Sequence, residues 1–274
     1  MRLYLSLFVA ALSGCADISP QSRWQHADQL ASAASWSKRT IPAGKFVLSA
    51  YVPKVMQQVD ILTIYIEGDG LAWLSPSRPS DDPTPRNPVA LEMALRHTQG
   101  AAVYLARPCQ YVKPEEAGDC RQTYWTDKRF APEVIAASDQ AISVLKQRYG
   151  SKKLVLIGYS GGGAVAALAA ARRDDIIQLI TVAGNLDHRA WTGMHRISPL
   201  AGSLNPADEW QALVSVPQWH FVGGNDEVVG RAVAESYASK FPLDHRPNII
   251  SIPDFNHVCC WAKIWPELLK QANR

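Results

Sequence analysis

The residues best suited to carry out chemistry lie at 158–162, which read G-Y-S-G-G. A branched apolar run at residues 154–157 precedes them and an Ala-rich segment at 164–171 follows, so the pattern predicts a strand, a tight turn and a helix. G-x-S-x-G in that context is typical of a nucleophile elbow, in which the turn lifts a serine hydroxyl clear of a sheet. We therefore predict that Ser160 is a nucleophile, the alternative being a Gly-rich turn that only packs closely.

A serine hydroxyl needs a neighbouring base, which is itself oriented by an acid. In a nucleophile elbow the acid and then the histidine follow the serine along the chain. His257 comes just after the last predicted strand and is the predicted base. Asp226 comes just after the preceding strand and is the predicted acid, with Glu227 as the competing neighbour and Asp254 and Asp187 as weaker candidates.

The remaining histidines after the serine are less well placed. His220 lies inside an apolar run and is expected to be a packed core residue. The other three fall in an irregular stretch or before the last strand: His188, His195 and His245.

Strands and helices alternate along the chain. Strands are predicted at residues 46–52, 60–66, 101–105, 154–157, 176–182, 218–222 and 248–252, and helices at 88–97, 131–149, 228–240 and 258–271. This alternation predicts an α/β fold with a mostly parallel central sheet and helices on both faces.

Two irregular stretches interrupt the alternation, at residues 71–87 and 185–210. Long loops in a compact domain are commonly lids or binding loops, and 185–210 is predicted to be a short lid-like insertion. Both should overhang the carboxyl ends of the strands, where α/β sheets bind ligands. Four loop aromatic residues are expected either to line a pocket there or to anchor the loops: Trp73, Tyr124, Trp125 and Trp191.

Acyl transfer also needs two N–H donors for the developing oxyanion. The first should be Gly161, directly after the serine. The strand at 60–66 runs into residues 67–70, which read E-G-D-G, and from about residue 60 onward the whole pattern resembles the α/β-hydrolase family. Many members carry His-Gly-x-x at this point. The resemblance implies that the Asp69 N–H is the second donor, and it leaves open the role of Glu67, which stands in place of the histidine.

The same resemblance implies a serine hydrolase that needs no cofactor. An esterase or lipase acting on a small-molecule or lipid ester through an acyl-enzyme is the first expectation. Peptidases, thioesterases and acyltransferases use the same parts, and a non-catalytic binding lipoprotein could keep the fold. The composition of the long loops does not identify the substrate.

The N-terminus predicts where the protein acts. A positive start and an apolar run at residues 3–12 are typical of a secretory signal, here residues 1–14, and the run is too short to span a bilayer. Residues 12–15 read L-S-G-C and resemble the bacterial lipobox, which implies that Cys15 becomes the lipid-bearing first residue. Ala16, where an inner-membrane retention signal has Asp, favours the outer membrane of a Gram-negative cell, facing the periplasm.

Composition narrows the remaining classes. The 274-residue chain is 47% apolar and 19% charged, which is typical of a globular protein. Its net charge of +3 is too small to indicate a nucleic-acid partner. Residues 15–40 are predicted to be a lipidated tether and residues 41–274 one hydrolase domain, which we expect to be monomeric.

Four cysteines remain besides the predicted lipid-bearing one. In an oxidising compartment they are disulfide candidates first, and the three possible pairings stay open. A zinc site is the alternative, but the spacing matches no paired-ligand pattern, so no metal is predicted. The candidates are Cys109, Cys120, Cys259 and Cys260.

Overall fold

The computed structural model describes residues 19–273, so the predicted signal peptide and Cys15 lie outside the described residues. A central sheet of eight strands organises the chain, and a separate two-stranded hairpin lies in the first irregular stretch. The strands are β1 (Trp36–Ala43), β2 (Phe46–Pro53), β3 (Ile61–Ile66), β4 (Trp73–Ser75), β5 (Arg78–Pro79), β6 (Ala101–Leu105), β7 (Lys153–Tyr159), β8 (Ile176–Val182), β9 (Gln218–Gly223) and β10 (Asn248–Ile252).

Eight α-helices are present in the described part of the chain. They are α1 (Pro20–Ala33), α2 (Val89–Ala94), α3 (Pro132–Arg148), α4 (Gly161–Ala170), α5 (His188–His195), α6 (Trp210–Leu213), α7 (Arg231–Ala238) and α8 (Trp261–Ala272). Among residues 19–273 no helix combines the length and the apolar character that crossing a bilayer requires.

The sheet order is β1-β2-β6-β3-β7-β8-β9-β10. The first three strands pair antiparallel, and every pair from β6 to β10 is parallel. The carboxyl ends of the parallel strands therefore share one edge of the sheet, and the residues after β3, β7, β9 and β10 meet there. The predicted α/β fold with a mostly parallel sheet is confirmed.

Two apolar layers cover the sheet. One contains buried residues of α3 and α4, and the other contains buried residues of α1, α2 and α8. The strands between them read as continuous apolar runs because both faces are buried. In β7, for example, all residues from Leu154 to Tyr159 are buried.

The N-terminal region differs from its prediction as a tether through residue 40. From Pro20 onward it is structured: α1 buries Ala27 and Ala31 against the sheet, and β1 pairs with β2 over its whole length. Sequence reasoning missed α1 because its apolar face consists mainly of alanines, which produce little hydrophobic periodicity.

The N-terminal helix also holds the first irregular stretch in place. The buried Arg23 guanidinium donates to the carbonyl oxygens of Asp82 and Thr84 at 3.2 and 2.5 Å, and the Trp24 indole donates to the Thr84 hydroxyl at 3.1 Å. Pro85 and Arg86, which come next in the chain, line a cavity of about 870 Å³. The segment at 71–87 is therefore a fixed wall rather than a free loop.

The structure pairs Cys109 with Cys120 and Cys259 with Cys260. Each of these four cysteines therefore forms a disulfide and has no free thiolate with which to bind zinc. The first bridge closes a loop of eleven positions directly after β6. That loop carries residues that support the site described below.

We expect Arg23→Met to lower the free energy of unfolding by about 2 kcal/mol, because the buried Thr84 carbonyl and the half-buried Asp82 carbonyl lose a charged donor. The exposed Arg39→Met variant, on the neighbouring strand, should change it by less than about 0.5 kcal/mol. Urea unfolding followed by circular dichroism measures both. Equal effects of the two substitutions would show that the Arg23 contacts do not stabilise the fold.

Candidate active site

Ser160 sits on a sharp turn between β7 and α4. Its backbone angles are φ 52° and ψ −124°, a region that non-glycine residues rarely adopt and that costs about 1–3 kcal/mol. The turn brings neighbouring backbone segments so close together that there is no room for a Cβ on Gly158 or Gly162. A Cβ on Gly158 would lie 2.3 Å from the Gly162 carbonyl oxygen, and one on Gly162 would lie 2.3 Å from the carbonyl oxygen of Ile66.

The structure brings three side chains predicted from the sequence into one hydrogen-bonded chain. The His257 Nε2 lies 2.9 Å from the Ser160 hydroxyl, and its Nδ1 lies 2.9 Å from Asp226 Oδ2. Because a carboxylate can only accept, the ring proton belongs on Nδ1, and Nε2 is left to accept from the serine hydroxyl. This arrangement can remove the hydroxyl proton as the oxygen attacks.

Asp226 is held rigidly by its own loop. Its Oδ1 accepts from the N–H groups of Val228 and Val229, both at 2.8 Å, and its side chain is fully buried. Its neighbour Glu227 is exposed. Between these two adjacent carboxylates, the structure places Asp226 at the imidazole.

The two weaker candidates for the acid, Asp187 and Asp254, have different surroundings. Asp187 caps α5, where it accepts from Arg189 and Ala190 N–H, and Asp254 is exposed. Neither carboxylate therefore replaces Asp226 at the imidazole.

His220 is the packed core histidine that the sequence predicts. It is fully buried, with its Nδ1 2.9 Å from the Thr181 hydroxyl, and burial lowers its pKa to about 3. Its ring is therefore neutral at physiological pH and belongs to the core between β8 and β9.

The histidine of the site is also fixed through its backbone. The His257 carbonyl oxygen accepts from the Tyr159 hydroxyl and from the Trp261 indole, both at 3.0 Å. The Tyr159 and His257 rings lie 5.4 Å apart between centroids. Tyr159, the residue before the serine, therefore helps to position His257, a role that the sequence did not predict.

The two predicted oxyanion donors lie on facing segments. Gly161 begins α4, and its N–H is one of the first-turn amides that have no partner within the helix. Asp69 belongs to the turn after β3, and a Cβ on Gly161 would lie only 2.1 Å from the Asp69 carboxylate. Within residues 19–273 neither amide donates to another protein group.

An ion cluster surrounds the Asp69 carboxylate. Arg107 donates to its Oδ1 at 3.0 Å and Arg129 donates to its Oδ2 at 2.6 Å, and both arginines are buried. Burial alone would raise the pKa of Asp69, but the two guanidinium groups outweigh burial and hold that pKa below its ordinary value. The cluster therefore carries a net charge of +1 beside the predicted oxyanion hole.

Several buried residues hold the turn that carries Asp69. Gln110 donates to the Gly68 carbonyl at 3.0 Å and accepts from the Arg107 N–H at 3.1 Å. Arg107 also donates to the Arg129 carbonyl. Sequence reasoning missed these roles of Arg107, Gln110 and Arg129. The one available signal was that Arg107 follows the end of a buried strand, where sites in α/β sheets lie.

Glu67 is buried and hydrogen-bonded, at the position where many members of the resembled family carry histidine. It is 1% exposed, and its Oε1 accepts from Gly68 N–H at 2.9 Å and from Ala90 N–H, in the first turn of α2, at 3.4 Å. Burial raises its pKa to about 7 against these hydrogen bonds. Its carboxyl group therefore joins the oxyanion turn to α2.

A cavity of about 870 Å³ opens at Ser160 and His257. This is the size of a pocket for a small organic ligand or an acyl chain. Of the four loop aromatic residues, Trp73 and Trp191 line this cavity. Tyr124 and Trp125 are instead buried in the core and anchor their loop. Both irregular stretches contribute walls, and 185–210 is partly helical because it contains α5.

The chain matches no protein-family model, and no curated protein is significantly similar to it in sequence. Its structure, however, resembles many solved ones. An esterase of Pyrococcus furiosus is 13% identical, with 89% of this chain and 93% of that chain covered and a TM-score of 0.57. A membrane phospholipase A, described as a bacterial virulence factor, is 13% identical, with 93% of each chain covered and a TM-score of 0.53.

An acylaminoacyl peptidase of Pyrococcus horikoshii is 12% identical with a TM-score of 0.60, and the match covers 88% of this chain and 42% of the peptidase. At such low identity these likenesses establish the fold. The chain has the α/β-hydrolase fold that its sequence pattern resembles.

We expect Glu67 to make stability depend on pH. Its folded-state pKa lies above the 4.5 of an unburied glutamate, so the folded protein holds the proton more tightly than the unfolded chain. The contribution of Glu67 to the free energy of unfolding is complete below about pH 4.5 and is lost as the pH rises through about 7. The free energy of unfolding should fall by about 3 kcal/mol over this range. Chemical denaturation at a series of pH values should show this decline in the wild type.

The Glu67→Gln variant keeps an oxygen acceptor for Gly68 and cannot ionise, so its decline over that range should be much smaller. Glu115→Gln, at an exposed site, should behave as the wild type does. An identical pH slope in the wild type and Glu67→Gln would contradict the buried, proton-binding role of Glu67.

Proposed function

We propose that this chain, which has the α/β-hydrolase fold, is a lipid-anchored, extracytoplasmic serine hydrolase that cleaves carboxylic esters through an acyl-enzyme. The observation that carries the proposal is the pair of 2.9 Å hydrogen bonds joining Ser160, His257 and Asp226 beside a cavity. A serine held in a strained elbow is costly for stability, and such strain is found mainly where it serves a mechanism.

Acylation begins when the Ser160 hydroxyl oxygen attacks the ester carbonyl carbon while His257 Nε2 takes its proton. The carbonyl oxygen becomes an oxyanion that accepts from the N–H groups of Gly161 and Asp69. His257 then returns the proton to the leaving alkoxide, which departs as the alcohol and leaves an acyl group on Ser160. Asp226 stabilises the transient imidazolium and keeps the ring oriented.

Deacylation repeats the sequence with water as the nucleophile. His257 removes a proton from water as its oxygen attacks the acyl carbonyl, and then returns that proton to Ser160 Oγ as the carboxylic acid leaves. Each oxyanion donor commonly contributes about 3–4 kcal/mol to lowering the barrier. The net +1 cluster of Asp69, Arg107 and Arg129 favours the same negative charge.

An ester is the favoured substrate on two grounds. The cavity wall next to the site is largely apolar, with Leu71, Val89 and Leu200 among its lining residues. Two of the solved structures that share the fold are named an esterase and a phospholipase A. The peptidase among them keeps peptide hydrolysis as an alternative, as do thioester hydrolysis and acyl transfer, and a set of ester, peptide and thioester substrates separates these activities.

The proposed extracytoplasmic, lipid-anchored location rests on the N-terminal sequence. The signal-like residues 1–14 and the lipobox-like cysteine support export and lipidation at Cys15, with the outer membrane favoured. The Cys109–Cys120 disulfide agrees with an oxidising compartment. Metabolic labelling with a fatty-acid analogue, lost in Cys15→Ala, tests this part separately from catalysis.

A fluorophosphonate probe should label the wild-type protein, and Ser160→Ala should lose both labelling and ester hydrolysis. Asp226→Asn should lower kcat about 10,000-fold, since the amide cannot hold the required tautomer. Glu227→Gln, one residue away and exposed, is the matched control and should retain full activity. Equal labelling of the wild type and Ser160→Ala would refute the serine mechanism and favour a non-catalytic binding protein.

The charge balance beside the oxyanion hole gives a further prediction. Arg129→Met leaves the Asp69 carboxylate with one cation and lowers the net charge of the cluster from +1 to 0. For scale, two unit charges about 4 Å apart interact by about 4 kcal/mol at an effective dielectric constant of 20. Even a fraction of this energy should lower kcat at least about tenfold, with little change in KM.

The double variant Asp69→Asn with Arg129→Met removes both charges and should recover most of that loss. Activity is normalised to the fraction of protein that the probe labels, so that unfolded protein is not counted. A double variant as slow as Arg129→Met alone would mean that Arg129 acts by packing rather than by charge.

A further inference from the structure

Six exposed large apolar side chains belong to segments that line the cavity. Four of them line the cavity itself, and two are chain neighbours or share an element with a lining residue. All six are 40–51% exposed, and we call them the apolar rim: Trp73, Leu74, Met194, Ile197, Val228 and Val258.

Hydrogen bonds hold part of the apolar rim in place. Its residues come from β4, from α5 and the residues just after it, from the loop after β9 and from the loop after β10. The Trp191 indole donates to the Val228 carbonyl at 2.7 Å, and the same carbonyl lies 2.9 Å from His195 Nε2, so α5 is tied to the acid loop. An exposed apolar surface around a ligand cavity is typical of an interaction site.

The described chain begins close to this opening. The first turn of α1 is fastened by Arg23 to residues 82 and 84, and the two residues that follow them line the cavity. Four residue steps separate the predicted lipid-bearing Cys15 from Ser19, a reach of at most about 14 Å. A lipid on Cys15 therefore holds the wall of the cavity near the bilayer that contains the lipid.

Charged residues at the opening fit the same surface. Arg86 and Arg196 line the cavity, are exposed, and have no ion-pair partner within residues 19–273. Asp127 is the exposed anion of the lining. Guanidinium groups beside an apolar rim suit a lipid surface, where phosphate groups lie just outside the acyl chains.

We propose that the apolar rim docks on the lipid bilayer that holds the Cys15 lipid, and that the substrate is an acyl ester drawn from that bilayer into the cavity. This inference rests on the proposed ester hydrolase function and names its substrate class. Docking places the opening of the cavity against the acyl-chain region, so the ester can reach Ser160 without crossing water.

The test compares two esters with the full-length, lipidated protein. One is dissolved p-nitrophenyl butyrate, and the other is a long-chain fluorogenic ester embedded in vesicles of phosphatidylcholine and phosphatidylglycerol. The variant pair Leu74→Asp with Met194→Asp changes rim residues that do not line the cavity. The control pair is Val55→Asp with Leu243→Asp, whose residues are 79% and 80% exposed. They precede β3 and β10 and so lie at the amino ends of these strands, away from the cavity.

The rim pair should hydrolyse the vesicle ester at least tenfold more slowly than wild type and the dissolved ester at the wild-type rate. The control pair should match the wild type on both. Equal vesicle rates for the rim and control pairs would overturn docking while leaving ester hydrolysis intact. No hydrolysis of either ester by the wild type, together with no fluorophosphonate labelling, would overturn the proposed function itself and with it the docking proposal.

Discussion

Two close backbone approaches and one close carboxylate hold the candidate nucleophile in place. The chain reverses at Ser160 in a left-handed conformation, and it can do so because Gly158, Gly161 and Gly162 lie where any Cβ would collide with backbone or carboxylate atoms. The end of β8 supports this turn through two hydrogen bonds: Ser160 N–H donates to the Val182 carbonyl, and Asn185 N–H donates to the Ser160 carbonyl. Because this geometry is determined by contacts between β3, β7 and β8, the site depends on the whole parallel sheet.

A second constraint acts on the turn that faces the serine. This turn carries an acidic side chain close to the point where negative charge would develop, which by itself opposes catalysis. The structure solves the problem with two buried arginines from distant parts of the chain, so that the cluster as a whole is positive. Glu67 and Gln110 complete the support, since each hydrogen-bonds to Gly68. A network of buried polar groups thus holds the turn at Gly68 and Asp69.

Much of the fold followed from sequence pattern. Ala101–Leu105 and Asn248–Ile252 were predicted to the residue, because branched apolar runs bounded by polar residues leave few alternatives. The helix α1 and strand β1 were missed because α1 presents alanines and β1 is an edge strand with several exposed residues. Residues of the 185–210 stretch line the cavity, at the predicted edge of the sheet. The helix α5 within this stretch was missed because it is only about two turns long.

The sequence by itself indicated the candidate nucleophile, its candidate base and the order of strands and helices. Each depends on local spacing: glycines around a serine, a histidine after a strand, apolar runs between helices. Only the tertiary structure decided between Asp226 and Glu227, paired the cysteines, and placed Arg107 and Arg129 on Asp69. Those choices depend on distances between residues 11 to 60 positions apart or on which way adjacent side chains point. Sequence spacing does not specify such distances, whereas the packing of a parallel sheet does.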